Sequence, residues 1–215
     1  MPTSLENIRK KFVRRLQVAD GAFERHVIDT SLSLRFDCYA LQEGLLSHLW
    51  QSWNLFCRDI VISSALGANT NAGILTTSPY SELTEPEVAF VSQQLSRNHA
   101  IGTIRPLSGR HVEPTWGDAQ KINRISFGID ASNSSSLASA FGGILLISDL
   151  QKCRNACAHL NSESLALVAN ARVRYNDTSL RHPSEMMFWS DPATNDFAWK
   201  SWIDEMMLIA SFAVA

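Results

Sequence analysis

The sequence is poor in the residues that mark specialised protein classes. Only four of its 215 residues are cysteine, at 38, 57, 153 and 157. They lie on helix-like segments instead of being scattered through turns, which excludes a disulfide-stapled scaffold and points to a reducing compartment. Ten glycines and seven prolines are too few for a collagen-like or low-complexity chain. An excess of one charge is missing too. Nineteen Lys and Arg meet 21 Asp and Glu, a net charge of −2, so no global basic field holds nucleic acid. No apolar run approaches the roughly 20 residues that span a bilayer, and Met206 to Ala215 is broken by Ser211. The opening Met-Pro-Thr-Ser-Leu-Glu turns charged without the apolar stretch of a signal peptide. These absences predict a cytoplasmic chain with no membrane partner. What is present is apolar content, 45% against 19% charged, enough for a buried core of ordinary domain size.

Leu5, Ile8, Phe12, Leu16, Ala19, Phe23 and Val27 recur at three- and four-residue steps, which predicts an amphipathic helix from Leu5 to about Ile28. Arg9, Lys10, Lys11, Arg14 and Arg15 crowd its other side. Asp20, Glu24 and Asp29 follow closely, so a solvated face is the expected role of that basic run. A longer helix is predicted over 35–66, with Leu45, Leu49, Trp53, Phe56 and Ile60 in a wide apolar stripe and Gly67 as its stop. Thr84 as a cap and Pro86 in the first turn mark another start. Further helices are expected over 116–127, 137–160 apart from Gly142 and Gly143, 164–175 and about 197–213. The stretch 165–175 is the most strand-like of these. Residues 67–81 and 101–114 read as loop insertions, and 132–136 as a polar linker. With no series of alternating strands and no internal repeat, the expected fold is an all-α helical bundle forming one domain over 1–215.

No Gly-rich phosphate loop, His-Glu-x-x-His, Cys-x-x-Cys or Gly-x-Ser-x-Gly is present. What remains is Arg154-Asn-Ala-Cys-Ala-His159, late in a predicted helix. There Leu146, Leu150, Cys153, Cys157 and Leu160 form one apolar seam, which gives both cysteines a packing role. A zinc site from Cys153, Cys157 and His159 is disfavoured, because His159 projects roughly 120° around the helix from that seam. Ser148, Lys152, Asn155 and His159 form the opposite, polar stripe. Asn155, one turn before His159, is placed to hydrogen-bond the imidazole and fix its tautomer. Arg154 projects roughly 140° from His159. One straight helix does not bring them together, so either the helix end is distorted or a second copy supplies the missing partner.

Arg154, Asn155 and His159, with the small Ala156 and Ala158 between them, resemble the Arg, polar residue, His motif of HEPN domains. These are all-α bundles found in prokaryotic toxin, antiphage and CRISPR-associated ribonucleases. Arg105 to His111 has the same spacing, but Pro106 and Gly109 oppose a helix there. The resemblance implies a metal-independent endoribonuclease with no cofactor. Arg154, Asn155 and His159 would be catalytic, motif helices would face each other across a homodimer, and an antitoxin or defence-system protein would be a further partner. One feature departs from the family: toxins adenylylated by nucleotidyltransferase antitoxins often carry Tyr two residues after the His, where this chain has Asn161.

Local charge accommodates an RNA substrate. Residues 97–128 carry +3 and 145–182 carry +2, while 183–215 carry −4. Lys152, Arg172, Arg174 and Arg181 are the candidate RNA-binding residues, and His111 and His182 are loop histidines with a lesser claim to substrate contact. The alternative function is a catalytically silent, HEPN-like dimer that binds a nucleotide or a protein. Phe188, Trp189, Phe197, Trp199 and Trp202 would be its interface if they do not pack in the core.

Overall fold

A computed structural model describes residues 3–28 and 35–215. The fold is all-α, with 66% of it helical. The only strands among the described residues are β1 (Thr3–Ser4) and β2 (Ala68–Asn69), which pair in parallel. The helices are α1 (Leu5–Phe23), α2 (Arg35–Leu66), α3 (Glu85–Ser96), α4 (Ala119–Gly128), α5 (Ser134–Gly142), α6 (Ile147–Ala158), α7 (Ser162–Ala171) and α8 (Ala198–Phe212). Helix α1 continues into a π-helical turn at Glu24–Ile28, and short 3-10 helices form at Arg110–Val112, Arg172–Arg174 and Pro183–Phe188. Asp29, grouped above with Asp20 and Glu24, lies outside the described residues. No described helix is long and apolar enough to cross a membrane. No disulfide forms among the described residues.

The middle of the chain refines the sequence reading. The pattern over 137–160 is two helices, separated at Gly142 and Gly143, the two residues excepted from it. Each glycine costs a helix about 1 kcal/mol relative to alanine, so a pair is a natural break. The polar stretch 132–136 is not all linker, because α5 starts at Ser134. The strand-like 165–175 segment is helical, with α7 running into its 3-10 turn.

The chain forms two compact units. The first comprises Met1–Val13, Trp53–Ile144 and Leu208–Ala215. Phe12 stacks on Phe56 at 4.4 Å between ring centroids, and buried Trp53 donates from Nε1 to the Gly117 carbonyl at 3.1 Å. Helices α3 and α4 approach so closely at Gly128 that a Cβ there would lie 2.5 Å from Leu95 Cδ2. Arg58 is buried. Its guanidinium donates to both Glu113 oxygens at 2.6 and 2.8 Å and to Glu85 Oε1 at 2.7 Å. Burial by itself raises the pKa of Glu113. The hydrogen bonds from Arg58 and Trp116 outweigh it and hold the carboxyl below the usual range.

The second unit comprises Arg14–Ser52 and Leu145–Met207. Phe23 stacks on Trp199 at 5.0 Å, and Trp189, Trp199 and Trp202 are fully buried. The aromatic cluster at 188–202 is therefore mostly core, and its tryptophans offer no interface. Asp20 accepts from Trp199 Nε1 at 3.1 Å and from Lys200 Nζ at 2.7 Å, tying α1 to α8.

Helix α6 has no N-cap side chain of its own, since Leu146 occupies that position. Glu205 of α8 takes the role. Its carboxylate accepts the backbone N–H groups of Leu145, Leu146 and Ile147 at 2.9, 3.0 and 2.6 Å. Three orphan donors and the positive end of the helix dipole are satisfied by one side chain from a different helix.

Two predictions follow from these ion contacts. Glu205→Ala lowers stability by about 2 kcal/mol, at the upper end for a lost cap, read as a lower denaturant midpoint at unchanged m-value. Glu113→Gln removes the buried one of the carboxylates paired with Arg58, leaving Glu85, and costs about 2–3 kcal/mol near neutral pH through the lost charged hydrogen bonds. Because the folded-state pKa of Glu113 is depressed, its contribution is present above the unfolded carboxylate value and is lost as pH falls through the folded one. Denaturation curves across that acid range fall more steeply for wild type than for the variant.

Candidate functional site

Helix α6 buries Ile147, Leu150, Cys153 and Ala156 along one face. This ridge differs from the seam expected from sequence. Cys157 is only half-buried and Leu160 is 67% exposed, because the helix ends at Ala158 and Leu160 lies beyond it. Burial pushes the Cys153 thiol well up, and its Sγ donates to the Pro183 carbonyl at 3.3 Å.

The ridge also contains a carboxylate. Asp149 is fully buried and accepts from Lys152 Nζ at 2.8 Å, from Arg174 Nε at 2.9 Å and Nη2, and from the Tyr175 hydroxyl at 3.2 Å. Burial, reinforced by the neighbouring charge of Asp149, raises the Tyr175 pKa, so its hydroxyl remains a donor. A buried charge persists only when paired and hydrogen-bonded, and two cations and a phenol do this here. Two of the four candidate RNA-binding residues, Lys152 and Arg174, are thus engaged within the fold. The other two, Arg172 and Arg181, are exposed and form no ion pair among the described residues.

The motif residues lie at the helix end. Arg154 donates from Nη1 to Asn155 Oδ1 at 3.2 Å. The Asn155 amide oxygen therefore faces the guanidinium, not the imidazole, and only the Asn155 backbone carbonyl meets His159, accepting its N–H at 2.8 Å. His159 is where the chain leaves the helix, with φ −136° and ψ 76°. Its side chain is exposed and has no hydrogen bond or ion pair among the described residues. The reversal that follows is fixed by Ser164, whose Oγ donates to the His159 carbonyl at 2.6 Å, and by Asn161, which caps α7 through Ser164 N at 2.9 Å. Asn161 thus has a local structural task. The straight-helix projection that set Arg154 and His159 apart stops at Ala158, because His159 is no longer on the helix.

Two cavities of the second unit meet this segment. Ala40, Glu43, Gly44, Ser47, Arg154, Cys157 and Ala158 line one of about 330 Å³. The other, about 480 Å³, has Leu160, Leu165, Ala166, Ala169 and Leu180 as apolar wall, with Arg172, Arg181 and His182 among its polar lining. His159 falls in the chain between Ala158 of the first cavity and Leu160 of the second.

His182 is more organised than its sequence reading as a loop histidine. It caps the 3-10 helix Pro183–Phe188 and stacks on Tyr39 with centroids 4.2 Å apart. Its Nδ1 lies 2.8 Å from Ser184 Oγ, which donates to Gln42 Oε1 at 2.6 Å, and its Nε2 lies 3.3 Å from Glu43 Oε1. Cys157 completes the cluster, with one side-chain atom of each of Glu43, Cys157 and His182 within 4.8 Å of the others. Residues 43, 157 and 182 share no local motif, and the only sequence sign was a His before Pro at a helix start. His111 belongs to the other unit, in its 3-10 turn.

No protein-family model matches the chain, and no curated protein or solved structure matches it.

The Asp149 pairing predicts separate behaviour for the four basic residues. Arg174→Ala costs about 2–3 kcal/mol through loss of charged hydrogen bonds to a buried acceptor. Arg172→Ala and Arg181→Ala change stability by less than about 0.5 kcal/mol, as surface substitutions do. Chemical denaturation of the three variants checks both statements.

Proposed function

We propose that this chain is a metal-independent endoribonuclease of the HEPN type, acting on single-stranded RNA in a toxin or defence setting. The observation that carries the reading is the exposed His159 imidazole, unpaired among the described residues, whose chain neighbours Ala158 and Leu160 line two cavities that each include an arginine. Its chemistry needs no metal, since the RNA supplies its own nucleophile. His159 takes the proton of a 2′-hydroxyl, the freed oxygen attacks the adjacent phosphorus, and the P–O5′ bond breaks. The 5′-oxygen leaves with a proton, giving a 2′,3′-cyclic phosphate and a 5′-hydroxyl end. An imidazole suits proton transfer near neutrality, and a guanidinium at Arg154 suits the developing phosphorane charge. Asn155 holds the Arg154 fork in place. Arg172 and Arg181 take flanking phosphates, and the apolar wall of the larger cavity accepts a base.

A homodimer is part of this reading. One imidazole serves as base while a second, from a partner copy, protonates the leaving oxygen. Exposed Leu160, Leu167 and Val173, on and beside the helices that follow the motif, are apolar surface that a second copy would cover. The silent binding module loses its tryptophan interface to the core and stands as the outcome of a failed cleavage test.

Wild-type protein is expected to cleave a mixed-sequence RNA in excess EDTA and to leave cyclic-phosphate ends. His159→Ala slows this by about 10²–10⁴-fold, and Arg154→Ala by about 10²–10³-fold. Arg172→Ala and Arg181→Ala each reduce the salt dependence of RNA binding by about one phosphate contact. Equal RNA half-lives with wild type, His159→Ala and buffer would overturn the reading. An equal mixture of wild-type and His159→Ala chains retains about one quarter of the activity if two imidazoles are needed per dimer. Full activity from a strictly monomeric species in light scattering removes the dimer.

A further inference from the structure

We propose that Glu43, Cys157 and His182 form a zinc site, separate from the metal-free chemistry assigned to His159 and not dependent on it. The three residues come from α2, from the last turn of α6 and from the residue capping the 3-10 helix at 183–188. All are half-buried, and one side-chain atom of each lies within 4.8 Å of the others. Among the described residues they are the one group of Cys, His and acidic side chains gathered in this way.

Three donor atoms of different chemistry converge here, and the imidazole is held from behind. The Ser184 backbone N–H donates to His182 Nδ1 at 3.3 Å, and Ser184 Oγ, 2.8 Å from the same nitrogen, gives its proton to Gln42 Oε1 at 2.6 Å. Nδ1 therefore accepts in the metal-free protein, and Nε2 turns its proton to Glu43 Oε1, 3.3 Å away, with the thiol beside them. A Zn²⁺ ion takes the place of that shared proton: the ring proton moves to Nδ1, where the Ser184 Oγ lone pair accepts it, and Nε2 is freed as a ligand. Stacking on Tyr39 and the Ser184–Gln42 pair fix the ring plane, which is the outer-shell support that metal-bound histidines receive.

The same geometry argues against a thiol protease-like relay. Such a relay places the nucleophile and the acid on opposite ring nitrogens. Here Nδ1 is engaged by Ser184, and Nε2 is left for both Cys157 and Glu43. One nitrogen, one thiolate sulfur and one carboxylate oxygen form a mixed N/S/O donor set that suits Zn²⁺ better than Mg²⁺ or Ca²⁺, which require oxygen ligands. On binding, the Cys157 thiol releases its proton to solvent and the Zn–S bond forms with no change of oxidation state. Three protein ligands leave the fourth position of a tetrahedral ion to an outside donor. Glu43 and Cys157 line the cavity that also holds Arg154, so an anionic oxygen in that cavity is the expected fourth ligand.

The test is titration of the metal-free, full-length protein with Co²⁺ and then Zn²⁺. Wild type takes up one equivalent of Co²⁺, with a near-ultraviolet thiolate-to-cobalt band and the visible bands of a four-coordinate ion, and Zn²⁺ displaces it. Cys157→Ser loses the thiolate band, and Cys38→Ser keeps it. Glu43→Gln, at a half-exposed position, weakens Co²⁺ binding. Ser184→Ala weakens it about 10–100-fold, as loss of outer-shell support does, with circular dichroism confirming the fold of each variant. No thiolate band in wild type, or a band that survives in Cys157→Ser, overturns the proposal. Cleavage of RNA in excess EDTA is a separate measurement, so either result leaves the other standing.

Discussion

The second unit depends on how the buried charge of Asp149 is compensated. This carboxylate lies on the apolar ridge of α6, where an unpaired charge would unfold the helix or force its own protonation. Lys152, Arg174 and Tyr175 converge on it, and Trp202 Nε1 lies 3.4 Å from the same phenolic oxygen. One side chain thus fixes the face that α6 turns inward and the place where the turn after α7 docks. It also fixes which face of α6 is left for Arg154 and Asn155.

The same compensation divides the basic residues into two sets. Lys152 and Arg174 are held by the fold, while Arg154, Arg172 and Arg181 have no carboxylate partner among the described residues. A chain with a net charge of −2 can therefore present a local cationic surface without being basic. Arg154 lines one cavity of the second unit, and Arg172 and Arg181 line the other.

Periodicity made most of the fold legible. The apolar stripe of α2 identified Arg35–Leu66 residue for residue, and Thr84 with Glu87 forms the capping box at the start of α3. The interruption at Gly142 and Gly143 was legible in the glycine pair, but the cap that starts α6 was not, because its acceptor, Glu205, lies 58 residues from Ile147. The seam of α6 was misplaced for a related reason: a wheel drawn through Leu160 assumes a helix that stops at Ala158. The motif at 154–159 could be read because its residues are neighbours in the chain. The cluster of Glu43, Cys157 and His182 could not, since only tertiary packing brings those positions together.

Glu205 also sets an order of events in synthesis. The first turn of α6 needs acceptors that the chain does not contain until 58 residues later. At about 5–20 residues per second, α6 waits roughly 3–12 s for its carboxylate, longer if α8 must first leave the ribosome exit tunnel. A nascent or truncated product that lacks α8 leaves the first turn of α6 uncapped. Completion of that helix start is therefore delayed relative to the synthesis of α6 itself, a built-in lag between translation and tertiary docking.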